Sequence, residues 1–286
     1  MKQFQFNYGG GQQLRKLLGR IRTWCESEKV LKTGAPPLFH IFSVTLDKSA
    51  VKNICRIINE EMPEAEYIGC TTNGNIMQGD LSLADISIIL TVFEAPSTQL
   101  EVLQYPLTKE NDIDVTNALI REVEARPWVK AVELLTTIRG MSMTGFCENL
   151  QNLRPDVSVF GGGALSGDMN ENTAFVFSRC RHDLTAGKFV HLQENGVVFV
   201  LYGGEDLNIY TRYVTGWKPL GRELKVTRAE HSVLKELDGK PAFETYYRYL
   251  NISNDENFFV NTLEFPFHFR YHGIDILRAP VSSNED

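Results

Sequence analysis

The sequence predicts a mixed α/β fold: two related strand-helix-strand units with mixed, largely antiparallel sheets, layered helix, sheet, sheet, helix. Three observations lead there. Residues 38–46 form an apolar run followed by a helix with Val51, Ile54, Cys55, Ile58 and Met62 on one stripe. That helix leads to a second apolar run at 67–74, Y-I-G-C-T-T-N-G. Residues 131–137 repeat the order with Met143, Phe146, Cys147, Leu150 and Leu153 on the helix, leading to 157–168, V-S-V-F-G-G-G-A-L-S-G-D. Downstream, I-S-I-I-L-T-V-F from Ile86 rhymes with G-V-V-F-V-L-Y-G from Gly196. The match is one of pattern, the mark of a degenerate internal duplication.

The 286 residues, 43% hydrophobic and 23% charged, suit a soluble globular chain with one large core or two smaller ones. A net charge of -7 with no Lys/Arg block points to small molecules or proteins as partners, not nucleic acid or an anionic membrane. Five cysteines without Cys-x-x-Cys spacing read as reduced core residues of a cytoplasmic protein. No apolar run reaches a membrane span, and the N-terminus is too short and polar for a signal peptide.

Taken in order, Phe4 and Phe6 alternate as a short strand. Gly9, Gly10 and Gly11 then open a helix with Leu14, Leu17, Leu18, Ile21 and Trp24 on one face. Residues 1–37 are therefore set apart as an N-terminal strand and helix. No G-x-G-x-x-G or Gly-Lys-Ser/Thr follows, which leaves a nucleotide site weakly supported. His40 stands in an apolar strand, where a lone histidine is more often a packed, hydrogen-bonded core residue than a ligand. Asp47 caps the next helix and Pro63 closes it. Residues 85–94 and 99–105 form a hairpin, and a helix runs over 112–126. The 161–163 glycines read as a loop with bare backbone, serving either a backbone conformation closed to other residues or a close ligand approach. Beyond 174 helices thin out: strands are predicted at 174–177, 189–192, 197–202, 207–214, 224–227 and 233–237, and a helix at 242–250. A last strand covers 268–281.

No G-x-S-x-G, H-E-x-x-H or zinc spacing is present, and Met1-Lys2 supplies no N-terminal nucleophile. The chain is therefore expected not to be an enzyme, and to need no metal.

In order and spacing, Y-I-G-C-T-T-N-G, F-G-G-G-A-L-S-G-D, G-W-K-P-L-G (216–221) and V-T-R-A-E-H-S-V-L-K-E-L-D-G-K-P-A-F-E-T-Y (226–246) resemble the FIST family of sensory domains. The resemblance implies a FIST N-terminal-like domain over 38–228 and the start of a C-terminal-like domain over 229–286. It also implies a cytoplasmic, ligand-sensing role in bacterial signal transduction, upstream of an output domain in the same or a partner chain. The expected ligand is a small polar molecule such as an amino acid. Hydroxyls, an amide and bare backbone suit one, held between Thr71, Thr72, Asn73, Gly162, Gly163, Ser166 and Asp168 with Trp217 and Lys218. Asp168 would take the ammonium; Lys218 or loop N–H groups would take the carboxylate. No cofactor is expected. The alternatives are a haem-based nitric-oxide sensor with His191 as axial ligand, and a protein-interaction module. The strand over 270–281 is expected to lack its hairpin partner and to leave an edge open to self-association, its partner following in a longer chain that ends in an output module.

Overall fold

The computed structural model describes residues 1–28, 34–82, 84–139, 141–166, 171–179, 189–212, 214–230, 233–271, 274–280 and 282–283. The chain divides into two compact units, Met1–Arg212 and Tyr213–Asp286.

The first unit begins with β1 (Lys2–Asn7), α1 (Gly11–Ser27), β2 (Leu38–Ser43), α2 (Lys48–Glu61), β3 (Glu66–Thr71), a small hairpin of β4 (Asn75–Met77) and β5 (Asp80–Ser82), and β6 (Ile86–Val92). The same order follows: β7 (Gln99–Pro106), α3 (Asp112–Glu124), β8 (Val129–Thr136), α4 (Thr144–Leu150), β9 (Ser158–Gly163), the hairpin of β10 (Val176–Arg179) and β11 (Val190–Gln193), and β12 (Gly196–Gly203). One sheet runs β1-β6-β2-β3-β10-β11 and the other β7-β12-β8-β9. The first four strands of one match the four of the other. In each half one pair is parallel, β2 with β3 and β8 with β9, because a helix crosses over between them. The other pairs are antiparallel.

The duplication thus starts at β1, and residues 1–37 lie inside the first unit. β1 pairs with β6 along all six of its residues. The halves differ in their second hairpins: β4 and β5 stand apart, whereas β10 crosses to the other half's sheet and pairs antiparallel with β3.

Strand alternation sorts the side chains into layers. Phe39 and Ile41 face α1 and α2, in a core with Leu14, Leu18, Cys25, Ile54 and Cys55. Val197, Phe199 and Leu201 face α3 and α4, with Val115, Leu119 and Phe146. Between the sheets lie Leu38, Ile68, Cys70 and Val176 from one and Leu135, Val198, Val200 and Tyr202 from the other. The first unit therefore has the expected helix, sheet, sheet, helix layering. Asp47 caps α2 as read, accepting from the Ser49 N–H at 2.8 Å.

Among the described residues, polar contacts bridge the middle layer at two places. At one, Ser178 on β10 donates to Gln104 on β7, which donates to Gln193 on β11 at 2.8 Å. At the other, His40 on β2 and Glu133 on β8 occupy equivalent positions of the two halves, and His40 Nε2 lies 3.0 Å from Glu133 Oε2. Tyr202 donates its hydroxyl to the same oxygen. His40 has the packed, hydrogen-bonded place expected of a lone histidine in an apolar strand. Burial pushes the Glu133 carboxyl up, but the His40 charge, its hydrogen bond and Tyr202 outweigh it, and the net direction is down. Burial and the nearby carboxylate push the Tyr202 phenol well up, and burial raises the Cys70 thiol to about 12.

Several expectations are corrected. The strands at 85–94 and 99–105 form no hairpin: β6 pairs with β1 and β2, and β7 pairs with β12 in the other sheet. The glycines at 161–163 are strand residues at the exposed edge of β9, not a loop. Residues 207–212 form no strand. Leu207 and Ile209 dip onto the layer between the sheets, but Lys130 Nζ holds this stretch by the carbonyls of Glu205 and Leu207 in place of a ladder. Cys147 is exposed on α4, which buries the neighbouring Phe146 instead, whereas Cys25, Cys55 and Cys70 are buried; Cys180 lies outside the described residues.

The second unit contains a sheet of β13 (Val226–Glu230), β14 (Val233–Leu237) and β15 (Lys240–Pro241), then α5 (Phe243–Leu250) and α6 (Phe258–Glu264), and a hairpin of β16 (Phe267–Tyr271) and β17 (Ile274–Arg278). Its core gathers Tyr246, Ile252 and Phe258 with Phe243, Leu250 and Phe267. The terminal strand thus has its partner within the chain: β17 pairs with β16 over five residues. Among the described residues, no helix is long and apolar enough to cross a membrane.

Candidate functional site

In α/β sheets, ligands favour the crevice beyond the carboxyl ends of parallel strands, where irregular backbone leaves groups to spare. Here both parallel pairs end at one place. Each pair is extended by one equivalent bond, Thr72 N–H to Ser43 O (2.9 Å) and Ala164 N–H to Thr136 O (2.6 Å). The next residue joins the halves, as the Leu165 N–H donates to Thr71 O at 3.2 Å.

Three consecutive residues then tie the loops together. From a 3-10 turn at Glu171–Thr173 the chain enters β10 through Thr173, Ala174 and Phe175. The Thr173 hydroxyl donates to Ser166 Oγ at 2.9 Å, after β9. The Ala174 carbonyl accepts from Arg139 Nη2 at 3.2 Å, after β8. The Phe175 N–H donates to Thr71 Oγ1 at 3.1 Å, at the end of β3.

Arg139 brings charge to the cluster. Its backbone has φ +28°, unusual for a residue with a side chain. Its Nη2 lies 3.3 Å from Glu194 Oε2, in the turn between β11 and β12, and Lys48 at the start of α2 holds the other Glu194 oxygen. Lys48 first and Arg139 second hold the Glu194 carboxyl below its ordinary value. The Nε of Arg139 is buried and has no partner among the described residues, an arrangement that costs about 1–3 kcal/mol.

A family model, the FIST N domain, matches residues 39–240. The chain belongs to the FIST N domain family. This is a family of sensory domains in signal transduction. The match begins in β2, one strand and one helix after the start of the duplicated pattern, and reaches into the second unit. No curated protein matches the chain.

Within this FIST N domain the expected site residues do not share one role. Thr71 and Ser166 are buried and engaged in the ties above. Thr72 folds back on its own loop, its hydroxyl donating to Gly74 O at 2.8 Å. Asn73, Gly162 and Gly163 are exposed, and a Cβ added to Gly162 would meet nothing within 4 Å. Asp168 lies outside the described residues. Trp217 and Lys218 belong to the second unit, where Trp217 is half-exposed and its Nε1 donates to Glu264 O at 3.1 Å. His191 is exposed on β11, beside a groove of about 900 Å³ lined also by Lys48, Lys52, Asn53 and Arg56.

Sequence reading missed Arg139 and the segment 173–175. A cation just past a strand's carboxyl end, in T-T-I-R-G, was the available signal for the first. The second acts largely through backbone groups, which leave no residue signature. Thr71→Val keeps the shape but removes the acceptor of a buried N–H. It is expected to lower the unfolding free energy by about 1–3 kcal/mol in urea, and Thr71→Ser by less.

Proposed function

We propose that this FIST N domain senses a small polar ligand, an α-amino acid, at the junction of the loops that follow β3, β8 and β9, and passes the signal to an output domain in its own or a partner chain. The supporting observation is that Thr173, Ala174 and Phe175 bind those three loops, which come from both halves of the duplication. A ligand seated there touches both halves at once, so its binding energy can bias how they are held together. Exposed Asn73 and the open backbone at Gly162 and Gly163 offer donors and acceptors at the rim.

A thermal-shift screen of the twenty amino acids tests this. A ligand at about 100 times its dissociation constant adds about 2.7 kcal/mol, a clear rise in melting temperature. A few amino acids are expected to respond, and Asn73→Ala and Asp168→Ala to blunt the response. A folded preparation that responds to none contradicts the amino-acid assignment.

A further inference from the structure

Arg139 carries more than a structural role requires. Its side chain is 19% exposed, it sits at a positive φ, and its buried Nε donates to no described residue. Strain and an unmet donor at one residue are what a binding group shows before its ligand arrives. The existing partners do not account for it: Nη2 meets Ala174 O at 3.2 Å and Glu194 Oε2 at 3.3 Å. Charge-assisted bonds of this kind normally close to about 2.7–2.9 Å, so the Glu194 contact is loose.

We infer, resting on the ligand reading above, that Arg139 is the carboxylate receptor of the loop cluster and that Glu194 is the resident anion which an incoming carboxylate displaces. A guanidinium presents its donors as a planar fork that matches two carboxylate oxygens. An incoming carboxylate competes with Glu194 for Nη2, and closes on the buried Nε once the Glu194 side chain has swung away. The exchange is undemanding for Glu194, whose side chain is 48% exposed and keeps its bond to Lys48. The exchange also carries information. In the free protein Glu194 links α2, through Lys48, to the loop after β8, through Arg139. Ligand binding cuts that link at Arg139 and frees the β11–β12 turn from the second half's loop.

The test uses the full 286-residue chain. The twenty amino acids, their α-carboxamides and succinate are titrated by thermal shift and calorimetry against wild type, Arg139→Gln, Arg139→Lys and Glu194→Gln, with circular dichroism to verify folding. The expected result is that carboxylates bind and carboxamides do not. Arg139→Gln should weaken binding by roughly tenfold or more, and Arg139→Lys, which keeps charge without the fork, should fall between. Glu194→Gln removes the competitor and should tighten binding by roughly twofold to fivefold. If Arg139→Gln does not fold, the Glu194→Gln tightening decides. Amino acids binding Arg139→Gln as well as wild type, carboxamides binding as well as acids, or Glu194→Gln failing to tighten binding overturns the receptor role and leaves the amino-acid reading standing. Succinate binding through Arg139 with no amino acid binding does the reverse. No binding by any probe overturns both.

Discussion

Gly161→Ala is expected to cost about 2–6 kcal/mol of unfolding free energy, a large share of a typical domain's stability. Gly161 lies beside Leu134 in the parallel pair of β8 and β9 at φ +136°, and a Cβ there would stand 1.9 Å from the Leu134 carbonyl oxygen. Backbone cannot rotate away as a side chain could, so both strain and overlap are incurred. Gly69 holds the equivalent place in the first half beside Ile41, where a Cβ would lie 2.2 Å from the Ile41 carbonyl oxygen and 2.3 Å from the Phe177 ring. Its φ is not positive, so Gly69→Ala should cost the overlap alone, about 1–3 kcal/mol. The control is one residue away. Gly162→Ala meets no atom within 4 Å and should stay within about 0.5 kcal/mol of wild type. Urea titrations of the three variants decide it, and a Gly161→Ala protein as stable as Gly162→Ala removes the argument.

Those glycines show what local pattern reveals and what it hides. Alternation along 38–43 and 131–136 displayed the two inner strands, and the shared glycine of Y-I-G and V-F-G marked their partners. The helix, sheet, sheet, helix layering followed from one buried stripe per helix and two buried faces per strand. What stayed hidden is long-range. β1 pairs with β6 across some eighty residues of chain, so Phe4 and Phe6 read as an isolated strand although they open the first repeat. β10 could have joined either sheet by its composition; it chose β3, where Gly69 leaves room for Phe177. The glycines of β9 read as a loop because nothing local records that β8 lies alongside. At the candidate site, hydroxyls and glycines were legible as residue types, but the engagement of Thr71 and Ser166 comes from residues seven to about a hundred positions away.

The second large effect is expected at the His40–Glu133 pair. Removing one partner of a buried ion pair leaves the other without compensation, at about 3–5 kcal/mol. His40→Leu leaves the Glu133 carboxylate with only the Tyr202 hydroxyl and should lie at the upper end of that range. Glu133→Leu should cost less, because it removes the buried carboxylate itself and leaves the His40 ring stacked on Phe42. The double variant His40→Leu with Glu133→Leu places two apolar side chains among Leu38, Ile68 and Val200 and should recover most of the loss. That non-additivity is the measure of the pair. Acid sharpens the test. The Glu133 carboxyl is held below its ordinary value in the fold, so its contribution is complete above about pH 4.5 and is lost as the pH falls through the lower folded value. Wild type should therefore lose stability below pH 4.5 more steeply than the double variant, read as urea midpoints from pH 7 to pH 3. Parallel acid profiles, or a His40→Leu protein as stable as wild type, would refute the assignment. If the cycle behaves as expected, the pair adds little net stability over apolar packing. Its value is then registry: across a largely apolar layer the pair at equivalent positions, together with the Ser178–Gln104 hydrogen bond, favours a single alignment of the two sheets. A sensor whose ligand bridges both halves needs such a defined resting alignment to shift from.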